Sequence, residues 1–262
     1  MAAGADAVSM DNTLPHRRAG KGMPLVLVHG YLGGSEQWIE EIAHFSANFD
    51  VIAPGLPGFG EASDLSACDR IGTMADAVLA LLDQLGVGQF ILLGHSMGGM
   101  IAQEMAAKAG DRITGLILYG TGPVGLLPDR FEPIEVSRQR LMADGVQETA
   151  KRIGATWFRK GEAAEGFALV AKIGACASRE AALAGLDAMA NWDGRSALAD
   201  LTMPALVLWG ERDRSYSWSQ VEMLWKSLPN TELAVMPGAA HAAHLEKPKL
   251  FHAILDDFLN NS

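Results

Sequence analysis

The chain has few cysteines and fewer basic than acidic residues. Only two of its 262 residues, Cys68 and Cys176, are cysteines, which excludes a disulfide-stapled scaffold and zinc-finger spacing. We expect both thiols to be buried in a reducing compartment. Lysine and arginine number 21 against 31 acidic residues, for a formal net charge of −10. This balance argues against a nucleic-acid partner.

Long apolar runs are also absent. No segment approaches the roughly 20 residues that a membrane-spanning helix needs. The opening "MAAGADAVSM" has no basic region followed by an apolar one, so it does not resemble a secretory signal. We therefore predict a cytoplasmic protein with no membrane partner. The sequence does not decide whether it forms a homo-oligomer.

Short apolar runs that alternate with helical patterns are abundant. The predicted strands include "PLVLVHG", "FILLG", "ITGLILYG", "PALVLWG" and "TELAVMPG". Strands that are apolar at nearly every position are typical of a parallel sheet with both faces covered. Strand and helix alternate with short connections, which predicts an α/β fold with a mostly parallel, doubly wound sheet.

One region interrupts this alternation. Residues 124–199 show helical periodicity only, whereas residues 1–123 and 200–262 carry the strand signals. We predict that 124–199 form a helical cap inserted into an α/β core. Most of its large apolar side chains would fill the core of the cap itself. Trp157 and Phe158 are predicted to bind substrate.

The stretch "ILLGHSMGG" places Ser96 between an apolar strand and a helix. A corner this sharp forces an unusual backbone conformation, and Gly94 and Gly98 remove side chains that would collide there. The corner exposes the hydroxyl and puts the amide of Met97 at a helix N-terminus, where donors are unpaired. This G-x-S-x-G pattern predicts a nucleophilic serine.

A serine nucleophile needs a base, and three histidines follow Ser96: His241, His244 and His252. His252 falls within the last predicted helix and is interpreted as structural. His241 comes first after the final strand, with the small residues "GAA" before it, so we predict it as the base. His244 is the rival; we predict that it lines the pocket or holds a loop.

The acid is expected after the preceding strand, in "LVLWGERDRS". A turn beginning at Gly210 would direct Asp213 toward His241, where a carboxylate fixes the imidazole tautomer. Glu211 is interpreted instead as a charged side chain exposed to solvent. Asp187 and Asp193 are weaker alternatives because they lie in the inserted region.

An oxyanion needs a second donor besides the Met97 amide. The run "LVLVHGYLGG" ends a strand beside that of Ser96, so we predict that the Tyr31 amide completes the oxyanion hole. His29 is interpreted as bracing this loop through hydrogen bonds. The side chain of His95 is expected to point away from the cleft.

The motifs "HGYLGG", "PGLPGFG", "GHSMGG", "GERD" and "GAAHAAHLEKP" together resemble those of the α/β-hydrolase fold superfamily over nearly the whole chain. Within it the pattern is similar to small bacterial esterases, to 3-oxoadipate enol-lactonase and to hydrolases of aromatic ring-cleavage products. The resemblance implies a triad of Ser96, Asp213 and His241 with oxyanion amides on Tyr31 and Met97.

The resemblance also implies a reaction. Many carbon–carbon hydrolases of the superfamily have asparagine before the serine, whereas this chain has His95. That difference favours a serine esterase or lactonase acting on a small, partly apolar substrate through an acyl-enzyme, with no metal or organic cofactor. The alternatives are carbon–carbon hydrolysis of aromatic meta-cleavage products and a cofactor-free oxygenase or perhydrolase on the same fold. A non-catalytic receptor is disfavoured because every triad position is filled.

Overall fold

A computed structural model describes residues 13–126 and 130–261. The strands of these residues are β1 (His16–Ala19), β2 (Met23–Val28), β3 (Phe49–Pro54), β4 (Phe90–His95), β5 (Ile113–Tyr119), β6 (Ala205–Gly210) and β7 (Thr231–Met236). All seven form one sheet in the order β1-β3-β2-β4-β5-β6-β7. Only β1 is antiparallel to its neighbour; the other pairs are parallel. The predicted mostly parallel sheet is confirmed.

Both faces of the sheet are covered, which explains why its strands are apolar at successive positions. Side chains alternate between faces along a strand. Val26 and Val28 join the larger core, whereas Leu25 and Leu27 join a second one. The flanking helices are α1 (Ile39–Phe45), α2 (Ile71–Gln84), α3 (Met97–Ala109), α7 (Trp218–Ser227), α8 (Ala243–Glu246) and α9 (Pro248–Asn261).

The segment between β5 and β6 is helical, as its periodicity predicts. It contains α4 (Ile134–Thr156), α5 (Phe167–Ala175) and α6 (Arg179–Ala190), with a non-helical kink in α4 at Gly145. Its two ends meet: Val124 bridges Asp193, and the Gly194 amide donates to the Pro123 carbonyl at 2.9 Å. The segment therefore leaves and re-enters the core at one place. We call α4 to α6 the cap.

Two expectations about composition can be compared with the structure. Both cysteines are free, but Cys68 is only half-buried and Cys176 is exposed, so the expectation of two buried thiols is wrong. Across the described residues, no helix combines the length and apolarity needed to cross a membrane. The same residues contain no cluster of three or more histidine, cysteine or acidic side chains suited to a metal ion.

Candidate active site

Ser96 occupies a strained corner directly between β4 and α3. Its backbone has φ 57° and ψ −121°, a conformation that costs a non-glycine residue about 1–3 kcal/mol. Two hydrogen bonds hold it there: the Ser96 amide donates to the Tyr119 carbonyl at 3.0 Å, and Thr121 Oγ1 donates to the Ser96 carbonyl at 2.7 Å. The sharp turn read from the sequence is therefore present, at the carboxyl end of a central strand.

The flanking glycines are required by close backbone contacts. A Cβ on Gly94 would lie 2.2 Å from the Gly98 carbonyl oxygen, and a Cβ on Gly98 would lie 2.3 Å from the Val28 carbonyl oxygen. Neither distance is sterically possible, and the colliding atoms belong to the backbone. The G-x-S-x-G pattern thus packs β4, α3 and β2 around the serine.

Asp213 and His241 form a buried pair. Asp213 follows β6 and His241 follows β7, and Nδ1 of His241 lies 2.8 Å from Oδ2 of Asp213, with both side chains fully buried. The other carboxylate oxygen accepts from the amides of Ser215 at 2.7 Å and Tyr216 at 3.2 Å. These bonds orient the carboxylate, so Nδ1–H is the donor. Among the described residues, Nε2 of His241 has no hydrogen-bond partner and is free to accept a proton.

Glu211, the alternative acid, lies at the surface. Its carboxylate is about half exposed, ion-pairs with Arg212 and accepts from the Gly238 amide at 2.8 Å. Asp187 and Asp193 pair with arginines, Arg138 and Arg195. Of the acids considered, Asp213 is the one that contacts His241.

His95 supports the loop that carries His241. Its ring centroid lies 4.6 Å from that of His241, and Nε2 donates to the His241 carbonyl at 3.1 Å. The Tyr119 hydroxyl donates to the same carbonyl at 2.9 Å. Burial, followed by the nearby His241 and His244, lowers the pKa of His95 well below its usual value. The expectation that His95 only points away from the site missed this support.

His244 lies in the core. Its ring packs against Trp38 and Phe251, and Nδ1 lies 3.0 Å from the Tyr119 hydroxyl. Burial lowers the pKa of His244 to about 4. The structure therefore favours the loop-holding interpretation of His244 over the substrate-binding one.

The loop after β2 lies against the serine. A Cβ on Gly30 would lie 3.4 Å from Oγ of Ser96, and Leu32 has a positive φ of 55°. His29 donates from Nδ1 to the Gly30 carbonyl at 2.9 Å and accepts at Nε2 from the Leu56 amide at 3.0 Å. These are the bracing bonds that we expected of His29. The Tyr31 and Met97 amides as an oxyanion hole stay a prediction.

The side chain of Tyr31 connects this loop to the cap. Its hydroxyl donates to the Ala182 carbonyl of α6 at 2.8 Å, and its ring lies so close to Gly185 that a Cβ there would approach to 2.9 Å. The cap is thus hydrogen-bonded to the loop that lies against Ser96.

The two predicted substrate-binding aromatics differ in position. The ring of Trp157 lies 5.6 Å from that of His241, and its carbonyl accepts from the Ala242 amide at 2.9 Å. Phe158 instead lines a surface cleft with Leu245 and Lys247, among residues that do not include the triad. Trp157 therefore adjoins His241, the predicted base, whereas the position of Phe158 does not support a substrate contact.

Tyr216 belongs to the site but was not predicted. Its ring stacks on that of His241 at 5.7 Å, with 19° between the planes. Burial raises the pKa of its phenol to about 12, although interactions with the Ser96 and Thr121 side chains oppose the rise. The sequence offered one signal for Tyr216, namely its position three residues after Asp213, the predicted acid.

Comparison with known proteins agrees with this geometry. A family model described as the alpha/beta hydrolase fold matches residues 23–148. The chain is 29% identical over 246 residues to the pimeloyl-acyl-carrier protein methyl ester esterase of Yersinia enterocolitica, covering 91% of this chain and 93% of that one. The chain is therefore similar in sequence to proteins of the alpha/beta hydrolase fold.

Solved structures resemble this hydrolase over almost its whole length. A malate-bound thermophilic esterase from Thermogutta terrifontis has a TM-score of 0.86 and 28% identity, covering 94% of this chain and 93% of that one. The enol-lactonase of Burkholderia xenovorans has a TM-score of 0.84 at 22% identity, covering 95% and 96%, which shows the shared fold alone. The predicted α/β-hydrolase enzyme class is confirmed.

Proposed function

We propose that this hydrolase cleaves a carboxylic ester or lactone of a small, partly apolar molecule through an acyl-enzyme on Ser96. The observation that carries the proposal is the buried Asp213–His241 pair, at the same sheet edge as the strained Ser96. The esterase names of the relatives from Yersinia enterocolitica and Thermogutta terrifontis support an ester bond. A lactone is an internal ester and needs the same chemistry.

In the proposed first half-reaction, Oγ of Ser96 attacks the carbonyl carbon while Nε2 of His241 takes its proton. The oxyanion accepts hydrogen bonds from the Tyr31 and Met97 amides. One such donor is worth about 3 kcal/mol to the transition state. His241 then protonates the leaving alkoxide, and an acyl ester on Ser96 remains. In a lactone the alkoxide stays attached to the acyl group.

In the second half-reaction, His241 removes a proton from water, whose oxygen attacks the acyl carbon. Collapse of the tetrahedral intermediate returns the proton to Ser96 and releases the acid. Asp213 remains ionised throughout and steadies the imidazolium through Nδ1–H. No step requires a metal or organic cofactor.

The test combines turnover with covalent labelling. We expect the wild type to hydrolyse p-nitrophenyl esters and to gain one phosphonyl group from a fluorophosphonate probe. Ser96→Ala should prevent labelling and lower kcat by up to about a millionfold. Ser219→Ala is the matched control, because Ser219 is an exposed serine bonded to Ser217. Hydrolysis that survives in Ser96→Ala would refute the proposal. Turnover of a meta-cleavage dienoate but no ester would support the carbon–carbon alternative.

A further inference from the structure

One carboxylate joins the cap to the loop that carries His241. Oε1 of Glu246 accepts from the Arg159 amide at 2.7 Å, and Oε2 accepts from the Ala240 amide at 2.5 Å. Arg159 follows α4 in the cap, whereas Ala240 directly precedes His241. The two amides are both donors and cannot bond to each other. A side chain with two acceptor oxygens satisfies both of them at once.

The Ala240 amide depends on this acceptor. Only 1% of the surface of Ala240 is exposed, and its carbonyl lies so close to the end of β6 that a Cβ on Gly210 would approach the oxygen to 2.2 Å. A buried backbone N–H without a partner is costly, and a bond to an ionised acceptor is stronger than one to a neutral acceptor. Glu246 therefore fixes the residue that precedes the predicted base.

The carboxylate of Glu246 is not used in an ion pair. In the described part of the chain, no lysine or arginine side chain forms a salt bridge with it. The basic side chains in the same cleft, Arg159 and Lys247, donate instead to the carbonyls of Gly238 at 3.1 Å and Pro237 at 2.5 Å. Glu246 thus interacts with the backbone, which indicates that it holds the loop in place.

The backbone on the other side of His241 is also fixed. The His241 carbonyl accepts two hydrogen bonds, and the Ala242 amide donates to the Trp157 carbonyl at 2.9 Å. Glu246 supplies the corresponding bond on the N-terminal side. Such bonds matter for a general base because a displacement of about 1 Å can cost about 100-fold in rate.

We propose that Glu246 is a positioning residue for His241. By holding Ala240 against the cap, it keeps Nε2 of His241 where that atom can take the proton of Ser96. This inference rests on the proposed hydrolase function, because it concerns the base of that reaction. Since the same base serves both half-reactions, both should depend on Glu246.

The first test separates positioning of the base from substrate binding. We expect Glu246→Ala to lower kcat and kcat/KM for p-nitrophenyl esters by the same factor, about 10- to 100-fold, and to leave KM unchanged. Stopped-flow measurements should show slower acylation and slower deacylation, because His241 acts in both steps. Glu246→Gln keeps one acceptor oxygen and should lose less, about 3- to 10-fold.

Glu211→Ala is the matched control. Glu211 also accepts from an amide of this loop, that of Gly238 at 2.8 Å, but it is about half exposed and its bond lies three residues before His241. This variant should keep the wild-type kcat. An equal loss in Glu211→Ala would overturn the inference, as would a raised KM with unchanged kcat in Glu246→Ala. A wild-type kcat in Glu246→Gln would overturn it even if Glu246→Ala does not fold.

The second test does not depend on turnover. The buried Nδ1–H that His241 donates to Asp213 should give a far-downfield proton NMR resonance, identified by its absence in His241→Gln. We expect the resonance to persist in Glu211→Ala and to be shifted or lost in Glu246→Ala; an unchanged resonance there would overturn the inference. A loss in a protein that cleaves no ester would keep the positioning role and reject the esterase function. Ester hydrolysis that requires Ser96 but not Glu246 would keep the function and overturn the inference.

Discussion

Acid should destabilise this protein through His244, and the substitution His244→Gln should reduce the effect. The Tyr119 hydroxyl donates to the His241 carbonyl, so Nδ1–H of His244 is the donor in its bond with Tyr119. Nε2 of His244 is then unprotonated, and it is buried without a partner among the described residues. A second proton would place a charge beside Trp38 and Phe251. Glutamine keeps an N–H for Tyr119 and does not titrate.

The magnitude follows from the pKa, which is 6.5 for an ordinary histidine and about 4 for His244 in the folded chain. Below pH 6.5 this histidine binds a proton in the unfolded chain but not in the folded chain. The free energy of unfolding therefore decreases as the pH is lowered. The loss begins near pH 6.5 and is complete just below pH 4. Between pH 7 and pH 5 it amounts to about 2 kcal/mol.

The assay is urea unfolding at pH 7 and pH 5, followed by tryptophan fluorescence. The change in unfolding free energy between these pH values should be about 2 kcal/mol smaller in His244→Gln than in the wild type. A constant cost of the substitution cancels in this difference, as do the contributions of the other histidines. Equal acid sensitivity in the two proteins would show that His244 does not exclude the proton.

Three further predictions concern the site and its frame. Asp213→Asn should lower kcat by about 10⁴-fold while near-UV circular dichroism remains native, because the amide favours the wrong tautomer of His241; an unchanged kcat would contradict this role. Gly98→Ala should abolish activity and lower the Tm, because its Cβ would lie 2.3 Å from a backbone oxygen. In the control Gly88→Ala, the added Cβ meets nothing within 4 Å, so activity and Tm should both stay unchanged. Trp157→Ala should lower kcat/KM more for esters of bulky acids than for acetates, because it opens space beside His241; a uniform loss would argue against substrate contact.

The sheet could be read from the sequence because its strands follow a simple rule. Strands buried on both faces need apolar side chains at successive positions, and "FILLG" and "ITGLILY" satisfy it as β4 and β5. The turn at Ser96 could also be predicted, because Gly94 must leave room for the Gly98 carbonyl four residues later in the same stretch. Such signals are local in sequence and need no knowledge of packing.

The contacts around the triad could not be predicted because they join residues far apart in sequence. His241 and His244 are only three residues apart, yet His241 precedes α8 whereas His244 lies in α8 and packs against Trp38 and Phe251. Adjacent Trp157 and Phe158 point to different surroundings at the end of α4. Loop conformation decides these directions, and the sequence pattern does not encode it.

The cap is hydrogen-bonded to two loops, one beside Ser96 and one that carries His241. One fastening is the bond from Tyr31 to α6, and the other is the bond from the Ala242 amide to the Trp157 carbonyl. Breaking these bonds would free the loop beside Ser96 and the loop that carries His241 from the cap. Because these two bonds hold the Tyr31 loop and the His241 loop in place, the proposed hydrolysis would require both bonds to be intact.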